Sequence, residues 1–384
     1  AEVTGALTVN SIDGVITISG SGSSLTFASV TFANSGSSLD LSGVGSNTVI
    51  FTAAPTLTNG MHPRFFLGGE DFATMANATA VTAFTGYAAL TDINAGATTD
   101  TYKVGSAYVT DDLAFSRTIN AVTLTDTTAR TLGVQAGVAD ATLTITSGGI
   151  ISSGNVTHTL AVPRLNLGAN SFIQVLSGAT LDITGAITSS ASSLMKALPG
   201  TLKLSAKQWY NSTTNVTGGT LTLTAGTNTI FPGSGALFNV DVGGTVDLNG
   251  NVQYLPSSIS SPGILPSTGG AITSSGGMLV VGSAATTWAG TISGTSLNFI
   301  KTGGNTEIKF QQAQTYTGST TLLGGTTTLE NDATLLNTSA VDINYATLSL
   351  SNDSSLRTQN NNRIGDAAPL TLRGGNITYT GRVS

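Results

Sequence analysis

Residues 204–223 read LSAKQWYNSTTNVTGGTLTL, and residues 310–329 read FQQAQTYTGSTTLLGGTTTL. The second segment aligns on the first without gaps at a constant offset of 106 residues. The matches include an aromatic residue, a threonine, a glycine doublet and a closing leucine: Tyr210 with Tyr316, Thr214 with Thr320, Gly218 and Gly219 with Gly324 and Gly325, and Leu223 with Leu329. Chance explains matched Thr and Gly in such a chain, but not the paired Tyr, the doublet and the Leu together. We interpret the segments as two copies of one internal repeat.

The similarity extends beyond the two aligned segments. Upstream, Lys196 corresponds to Lys301 with a slip of one residue. Downstream, residues 240–242 (Val-Asp-Val) resemble residues 341–343 (Val-Asp-Ile). We expect both lysines and the matched residues to be structural residues of the repeat.

Shorter segments of one type recur along the chain. Each begins with Gly or another small residue and continues with apolar–polar alternation, at residues 36–41, 178–183, 218–223, 243–248, 324–329 and 374–379. A period of two predicts a strand with one buried face. Gly supplies the positive φ of a corner, and Thr suits a strand because its branched Cβ is stiff. The sequence therefore predicts many short strands that are joined by tight corners.

Short strands of this kind occur in sandwiches, barrels and parallel β-helices. Two-residue hairpin signals are few: Asp13-Gly14, Asn59-Gly60 and Asn249-Gly250. Aromatic residues, which sandwiches use as a scaffold, make up only 6% of the chain. A solenoid needs neither, because each coil buries small side chains against the previous one. We predict an all-β parallel β-helix (β-solenoid) of about 22 residues per coil and roughly 17 coils.

The composition excludes several classes of protein. Gly (47), Thr (64) and Ser (42) dominate the 384 residues, whereas charged residues make up 9%. The surface of a helical enzyme carries a far larger share of charged residues. A disordered chain contains far fewer β-branched residues than this one. The net charge of −6 and the scattered Lys and Arg argue against nucleic acid. The absence of Cys removes disulfides and thiolate metal sites, and no apolar run reaches the ~20 residues of a membrane-spanning segment.

The pattern divides the chain into three parts. Residues 1–60 are predicted as N-terminal solenoid coils, residues 61–117 as an irregular insertion, and residues 118–384 as a β-helix. The repeats of the third part are placed at residues 194–254, 299–350 and 363–381. The insertion is rich in aromatic residues, with Phe65, Phe66, Phe72, Phe84, Tyr87, Tyr102 and Tyr108, and we expect it to offer a surface for partners. Residues 256–266, rich in Ser and Pro, are predicted as an exposed loop.

A family resemblance rests on residues 194–223, which begin LMKALPGTLKL and end WYNSTTNVTGGTLTL. This segment resembles the passenger-associated repeat of bacterial autotransporters. The second copy retains the positions Lys301, Gly303, Tyr316-Thr317-Gly318, Thr320 and Gly325. Residues 363–375 (RIGDAAPLTLRGG) also resemble such passengers, as do stretches within 71–87 and 143–150.

The resemblance implies a right-handed parallel β-helix that is secreted across the outer membrane and displayed or released at the cell surface. Its motif is structural and carries no catalytic residue. The chain departs from the family at Asn211-Ser212, where Thr-Gly is usual, and the family's translocating domain is not in this sequence, so the export route stays open. The start, Ala1-Glu2-Val3, suits a mature chain cut by signal peptidase, and an excised fragment would look the same.

Few residues suggest catalysis. Asp111-Asp112, Glu70-Asp71, His62 and His158 are the candidates, because β-helix enzymes that act on polysaccharides use carboxylates with a basic residue. We interpret Asp111-Asp112 as a polar turn, His62 as a loop residue and His158 as a packed strand residue. Outward strand positions explain four further carboxylates: Asp40, Asp182, Asp247 and Asp342. No nucleophile elbow, P-loop, zinc motif or calcium nonapeptide occurs, so we predict no catalytic, cofactor or metal residues.

Three functions follow as hypotheses. The first is a non-catalytic extracellular rod at the bacterial surface: an adhesin, a stalk or a matrix component. The second is a subunit of a filament or surface layer that stacks through its ends, because strand patterns reach residues 7–9 and 377–379. The third is a carbohydrate-active enzyme that uses Asp111 or Asp112. The partners would be copies of the chain itself or cell-surface and extracellular polymers.

Overall fold

The computed structural model describes residues 1–10, 14–33, 37–77, 79–88, 93–105, 112–168, 171–188, 193–261, 268–282, 284–353 and 359–382. Within these residues the fold is all-β, with forty strands and no helix. The chain divides into two compact units, one of residues 1–210 and 217–219 and the other of residues 211–216 and 220–384. This division does not test the boundaries predicted at residues 60 and 117, which stay predictions.

Most strands have four or five residues, as the short alternating segments indicate. Those that begin before residue 211 are β1 Glu2–Val3, β2 Leu7–Val9, β3 Gly14–Thr17, β4 Ser24–Phe27, β5 Val30–Phe32, β6 Leu39–Ser42, β7 Thr48–Phe51, β8 His62–Leu67, β9 Asp71–Ala76, β10 Ala80–Ala83, β11 Tyr87–Ala88, β12 Thr101–Val104, β13 Arg117–Thr125, β14 Thr131–Leu132, β15 Thr142–Ser153, β16 Thr157–Leu160, β17 Arg164–Leu167, β18 Phe172–Val175, β19 Thr180–Ile183, β20 Ala186–Ile187, β21 Leu194–Ala197 and β22 Thr201–Leu204.

The later strands follow the same pattern. They are β23 Thr213–Val216, β24 Gly219–Leu223, β25 Leu237–Val240, β26 Gly244–Asp247, β27 Val252–Leu255, β28 Ser258–Ser260, β29 Ala271–Thr273, β30 Met278–Val281, β31 Thr286–Trp288, β32 Thr291–Ser293, β33 Asn298–Thr302, β34 Glu307–Phe310, β35 Thr320–Leu323, β36 Thr326–Leu329, β37 Val341–Asn344, β38 Thr347–Ser351, β39 Leu370–Arg373 and β40 Asn376–Thr380.

The first unit begins with an eight-stranded sheet in the order β1-β4-β7-β10-β9-β8-β6-β3. Parallel pairing joins β1, β4 and β7 on one side and β3, β6 and β8 on the other. The strands β8, β9 and β10 pair in antiparallel fashion, and β10 also pairs antiparallel with β7. This meander therefore closes two parallel stacks into one sheet.

The aromatic residues of the predicted insertion lie mostly inside the first unit. Its described residues include the strands β8 to β12. Phe65, Phe66 and Phe72 are completely buried, and Tyr102 is nearly so. Tyr108, which was predicted to belong to this group, lies outside the described residues. These buried side chains belong to the core, where each stabilises the fold by about 1.5–3 kcal/mol.

The rest of the first unit is a parallel stack. One series runs β11-β12-β13-β15-β18-β21, and another runs β14-β16-β19-β22. Leu181 pairs with Leu202 in the buried row, whereas Thr180 pairs with Thr201 in the neighbouring outward row. Alternation along each strand thus separates an aliphatic interior from a hydroxyl-rich surface, as the period of two predicts.

The second unit stacks its strands in the same way. Its longest series are β27-β30-β33-β35-β37-β39 and β31-β34-β36-β38-β40, and all their pairings are parallel. Phe299 pairs with Thr320, and Thr320 pairs with Val341, so one coil takes 21 residues at this point. The described residues form about 14 turns in all. The parallel β-solenoid is confirmed, the count of roughly 17 coils is not, and the handedness stays a prediction.

Candidate functional site

Lys196 is completely buried in β21, where it shares an inward row with Ile173. Its Nζ donates hydrogen bonds to the carbonyl oxygens of Ala197 at 2.9 Å, Leu198 at 2.5 Å and Gly218 at 2.8 Å. The positive φ of Leu198 (67°) turns the chain at this corner. Because Gly218 lies one coil later, the buried ammonium joins two successive coils through main-chain oxygens.

Lys301 repeats this arrangement in the second unit. It is buried in β33 in the same inward row as Leu322. Its Nζ donates to the carbonyl oxygen of Gly324 at 3.1 Å and, more weakly, to that of Gly303 at 3.5 Å. Burial lowers the pKa of Lys301, because removal from water disfavours the ammonium.

The second glycine of each doublet is required by this corner. Gly219 and Gly325 both have positive φ, 64° and 62°. A Cβ on Gly219 would lie 2.3 Å from the Gly200 oxygen, and a Cβ on Gly325 would lie 2.6 Å from Lys301 Nζ. The doublet and the lysine, predicted separately, are thus parts of one corner in each copy.

Arg363 is a third buried cation. It opens the partial repeat predicted at residues 363–381 and is 5% exposed. Its Nη1 donates to the Ala333 carbonyl at 2.8 Å, and its Nη2 donates to the Ser351 carbonyl at 2.7 Å and to Asn352 Oδ1 at 2.8 Å. Burial also lowers the pKa of Arg363. Its role resembles that of the two lysines, since it holds main-chain oxygens of neighbouring segments.

Gln208 was missed by the sequence analysis. It is buried, and its Oε1 accepts a hydrogen bond from the Ile187 N–H at 2.8 Å. Its Nε2 donates to the carbonyl oxygens of Ala206 at 2.6 Å and Gly185 at 3.4 Å. One buried amide therefore satisfies main-chain groups of two coils.

Gln314 makes the equivalent bonds in the second copy. Its Oε1 accepts from the Ile292 N–H at 2.7 Å, and its Nε2 donates to Gln312 at 2.5 Å and Gly290 at 3.1 Å. The two glutamines lie 106 residues apart, the offset that already aligned the tyrosines, so that offset was the signal for them.

The remaining repeat residues are buried. Tyr210, Tyr316, Leu223 and Leu329 are each no more than 1% exposed. The Tyr316 hydroxyl lies 2.6 Å from Thr320 Oγ1. Burial raises the pKa of Tyr316 well above its ordinary value. These positions hold the interior of the coils, and none of them lines an open cleft.

The histidines lie inside the first unit. His158 is completely buried, with its Nδ1 accepting from the Arg130 N–H at 3.1 Å and its Nε2 2.7 Å from the Ser153 carbonyl. His62, expected in a loop, is instead the first residue of β8. It lies against the rings of Phe32 and Phe65, with centroids 5.5 and 4.4 Å away. Burial and the neighbouring charge of Arg64 lower the pKa of His62 to about 4.

Two of the four candidate carboxylates, Asp112 and Asp71, have structural partners. Asp112 Oδ1 accepts from the Gly133 N–H at 2.9 Å, whereas Asp111 lies outside the described residues. Asp71 forms an ion pair with Lys103, with Oδ1 2.7 Å from Nζ, which joins β9 to β12. Glu70 is exposed. The Glu70-Asp71 pair therefore does not form a cleft of two carboxylates.

A polar groove lies on the outer surface of β34, β36 and β38. Its cavity of about 370 Å³ is lined by Glu307, Lys309, Thr328, Glu330, Ser349, Ser351 and Asp353. Lys309 Nζ lies 3.8 Å from a carboxylate oxygen of both Glu307 and Glu330. This is an outward mixed-charge surface that the sequence analysis did not identify.

In the described part of the chain, no group of three or more Asp, Glu or His side chains could hold a metal ion. The same residues contain no helix of the length and apolarity that crossing a membrane requires.

Comparisons of this chain with protein-family models, with curated proteins and with solved structures gave no match.

Proposed function

We propose that the chain is a non-catalytic structural β-solenoid that works outside a bacterial cell as an adhesin, a stalk or a matrix component. The observation that carries the proposal is the repeated internal bond from a buried lysine to a glycine carbonyl one coil later. Lys196 with Gly218 and Lys301 with Gly324 form the same contact in two copies.

The energetics of these contacts favour a scaffold. Burial of an ammonium costs several kcal/mol unless hydrogen bonds compensate for the lost hydration. At the corners the cation donates to several carbonyl oxygens, and these hydrogen bonds compensate for the lost hydration. The repeat thus preserves the residues that fix one coil on the next.

The surface suits an extracellular solenoid. Outward positions form columns of hydroxyl side chains, as in Thr157, Thr180 and Thr201 of β16, β19 and β22. The candidate groups Asp112, His158 and Asp71 are bonded within the fold. The resemblance to autotransporter passengers supports export to the cell surface and a right-handed coil.

Surface display is tested by antibody labelling of intact and permeabilised producing cells. We expect equal labelling of intact and permeabilised cells. The control is a cytosolic protein, which is labelled only after permeabilisation. Labelling of this chain only in permeabilised cells would contradict the proposed location.

The non-catalytic role is tested with a panel of bacterial and plant polysaccharides. We expect no release of reducing ends by the wild-type chain. Release that disappears in Glu330→Gln or Asp112→Asn, but persists in Asp182→Asn, would replace the structural proposal with an enzymatic one.

A further inference from the structure

The polar groove on β34, β36 and β38 has a floor made of side chains alone. Lys309 pairs with Thr328, and Thr328 pairs with Ser349, so the floor crosses three successive parallel strands. Such strands lie about 4.8 Å apart, which sets these side chains in a regular row. The main-chain groups of the strands bond to one another in the ladder. Side chains therefore supply the contacts of the cavity of about 370 Å³.

The two glutamates of the groove are held in fixed positions. Thr328 Oγ1 donates to Glu307 Oε1 at 2.5 Å, and Gln311 Nε2 donates to Glu330 Oε1 at 2.8 Å. The second oxygen of each glutamate lies 3.8 Å from Lys309 Nζ, beyond hydrogen-bond distance. Each carboxylate is thus oriented by a neutral donor and keeps the capacity to accept from a ligand.

The remaining lining narrows the class of ligand. Asp353 adds a third carboxylate, whereas Lys309 is the one cation among the described lining residues, so the groove disfavours a polyanion. Ser349 and Ser351 add hydroxyl groups that both donate and accept. A peptide that adds to a sheet needs a free strand edge, and the floor of this groove is the middle of a sheet. A polymer with both hydroxyl and ammonium groups matches the lining better.

An exposed tyrosine stands at the corner that leads into β38. The register gives Gly324 in the preceding coil and Gly374 in the following coil the same position as Tyr345. Tyr345 has a φ of 48°, in the region that favours glycine. Its ring lies along Gly374, which has no side chain to cover it, and the residue is 82% exposed. The corner therefore presents an aromatic surface on which a sugar ring can stack and which attracts a cation.

We propose that this groove and Tyr345 bind a polysaccharide that carries free amino groups. The hydroxyl groups of the floor bond the sugar hydroxyls, Glu307 and Glu330 accept from the ammonium groups, and Tyr345 packs on a flanking sugar. Ser349 follows Tyr345 by four residues, at most about 13 Å along the chain, which is within reach of one oligosaccharide. The inference rests on the proposed extracellular role and names the polymer that such an adhesin or matrix component holds.

Titration calorimetry of the whole chain with a glucosamine hexamer tests the proposal. At about pH 6 the glutamates are ionised, and wild type should bind. The N-acetylated hexamer, which has no ammonium group, should bind about tenfold more weakly or worse, and an anionic oligogalacturonate should not bind. Absence of binding to the glucosamine hexamer would overturn the proposal. Equal or tighter binding of hexalysine would overturn it in favour of a basic peptide.

A pair of double variants locates the contact. Glu307→Gln with Glu330→Gln keeps the shape of both side chains and the acceptor for Thr328, and it should raise Kd about tenfold or more. The matched control is Asp140→Asn with Asp182→Asn, which removes two carboxylates that form ion pairs in the first unit. This control should bind like wild type. Equal weakening by both double variants would show an effect of net charge and overturn the groove as the site.

The variant Tyr345→Gly separates binding from stability. It gives the corner the residue that both neighbouring coils have, so Tm should be unchanged or higher, because glycine adopts positive φ without strain. Kd for the glucosamine hexamer should nevertheless rise about fivefold or more. Unchanged affinity would contradict the part assigned to Tyr345.

The same titrations distinguish this inference from the proposed function. The hexamer should be recovered intact by mass spectrometry after binding, which supports binding without cleavage. Shorter oligomers would contradict the non-catalytic role and leave the binding site standing. Absence of binding together with labelling of intact cells would overturn the polysaccharide site and leave the structural role standing.

Discussion

Buried cations at the corners of the coils are the main residue-scale feature of this solenoid. Lys196, Lys301 and Arg363 each donate to main-chain carbonyl oxygens at corners of the coil. A carbonyl dipole is weaker than a carboxylate, but several of them around one ammonium fill its donors without adding a second buried charge. One side chain thus links two successive coils rigidly at the corner.

Replacement of Lys301 by Met should destabilise the chain. Met fills a similar volume but donates no hydrogen bond, so the part-buried carbonyl bonds from Lys301 to Gly303 and Gly324 are lost. We expect a loss of about 2 kcal/mol and a fall of roughly 4–8 °C in Tm. The control Lys309→Met, at an outward position 41% exposed, should change stability by less than about 0.5 kcal/mol. Equal Tm values for the two variants would contradict the role of Lys301.

His62 should make the first unit sensitive to acid. Its folded pKa of about 4 lies below the value of 6.5 in the unfolded chain, so the unfolded state binds the proton first as pH falls. Stability attributable to His62 is therefore complete above pH 6.5 and is lost between pH 6.5 and pH 4, by up to about 3 kcal/mol.

The variant His62→Phe isolates this effect, because it keeps a ring between Phe32 and Phe65 but cannot bind a proton. Urea unfolding at several pH values should show a wild-type stability that falls more steeply below pH 6.5 than that of the variant. Parallel pH profiles would show that His62 does not titrate in this way.

At the scale of elements, period-two alternation predicts strands well and their pairing poorly. The segment at residues 243–248 contains β26 and the segment at residues 36–41 overlaps β6, because Gly, alternation and branched side chains act locally. The antiparallel meander β8 to β10 was not predicted, since pairing direction depends on contacts distant in sequence. Gln208 and Gln314 also match at the offset of 106 residues, but their hydrogen bonds to main-chain groups of two coils become visible only after the coils stack.

The corner glycines give a prediction for the element that joins two strands. Gly325→Ala places a Cβ 2.4 Å from the Thr306 oxygen and 2.6 Å from Lys301 Nζ at a positive φ, so it should cost more than 2 kcal/mol. Gly226→Ala also has positive φ (79°) but nothing within 4 Å of the new Cβ, so strain alone should cost about 1 kcal/mol. Thermal unfolding of both variants measures the difference. A smaller loss in Gly325→Ala than in Gly226→Ala would contradict the packed corner.

At the scale of the whole molecule, the composition and the fold explain each other. Gly forms corners, Thr and Ser cover outward rows, and aliphatic side chains fill the interior rows of both units. With so few charged residues, two of the six lysines are buried in the repeat. The repeat thus uses scarce cations to bond one coil to the next.

Lysine labelling tests this claim most directly. The native chain is treated with an amine-reactive ester, and mass spectrometry measures the modified fraction at each of the six lysines. We expect that Lys203, Lys207 and Lys309 react readily in the native chain, that Lys196 and Lys301 stay unmodified, and that all six react in denaturant. Modification of Lys196 and Lys301 as fast as that of Lys309 in the native chain would contradict the internal bonds of the repeat.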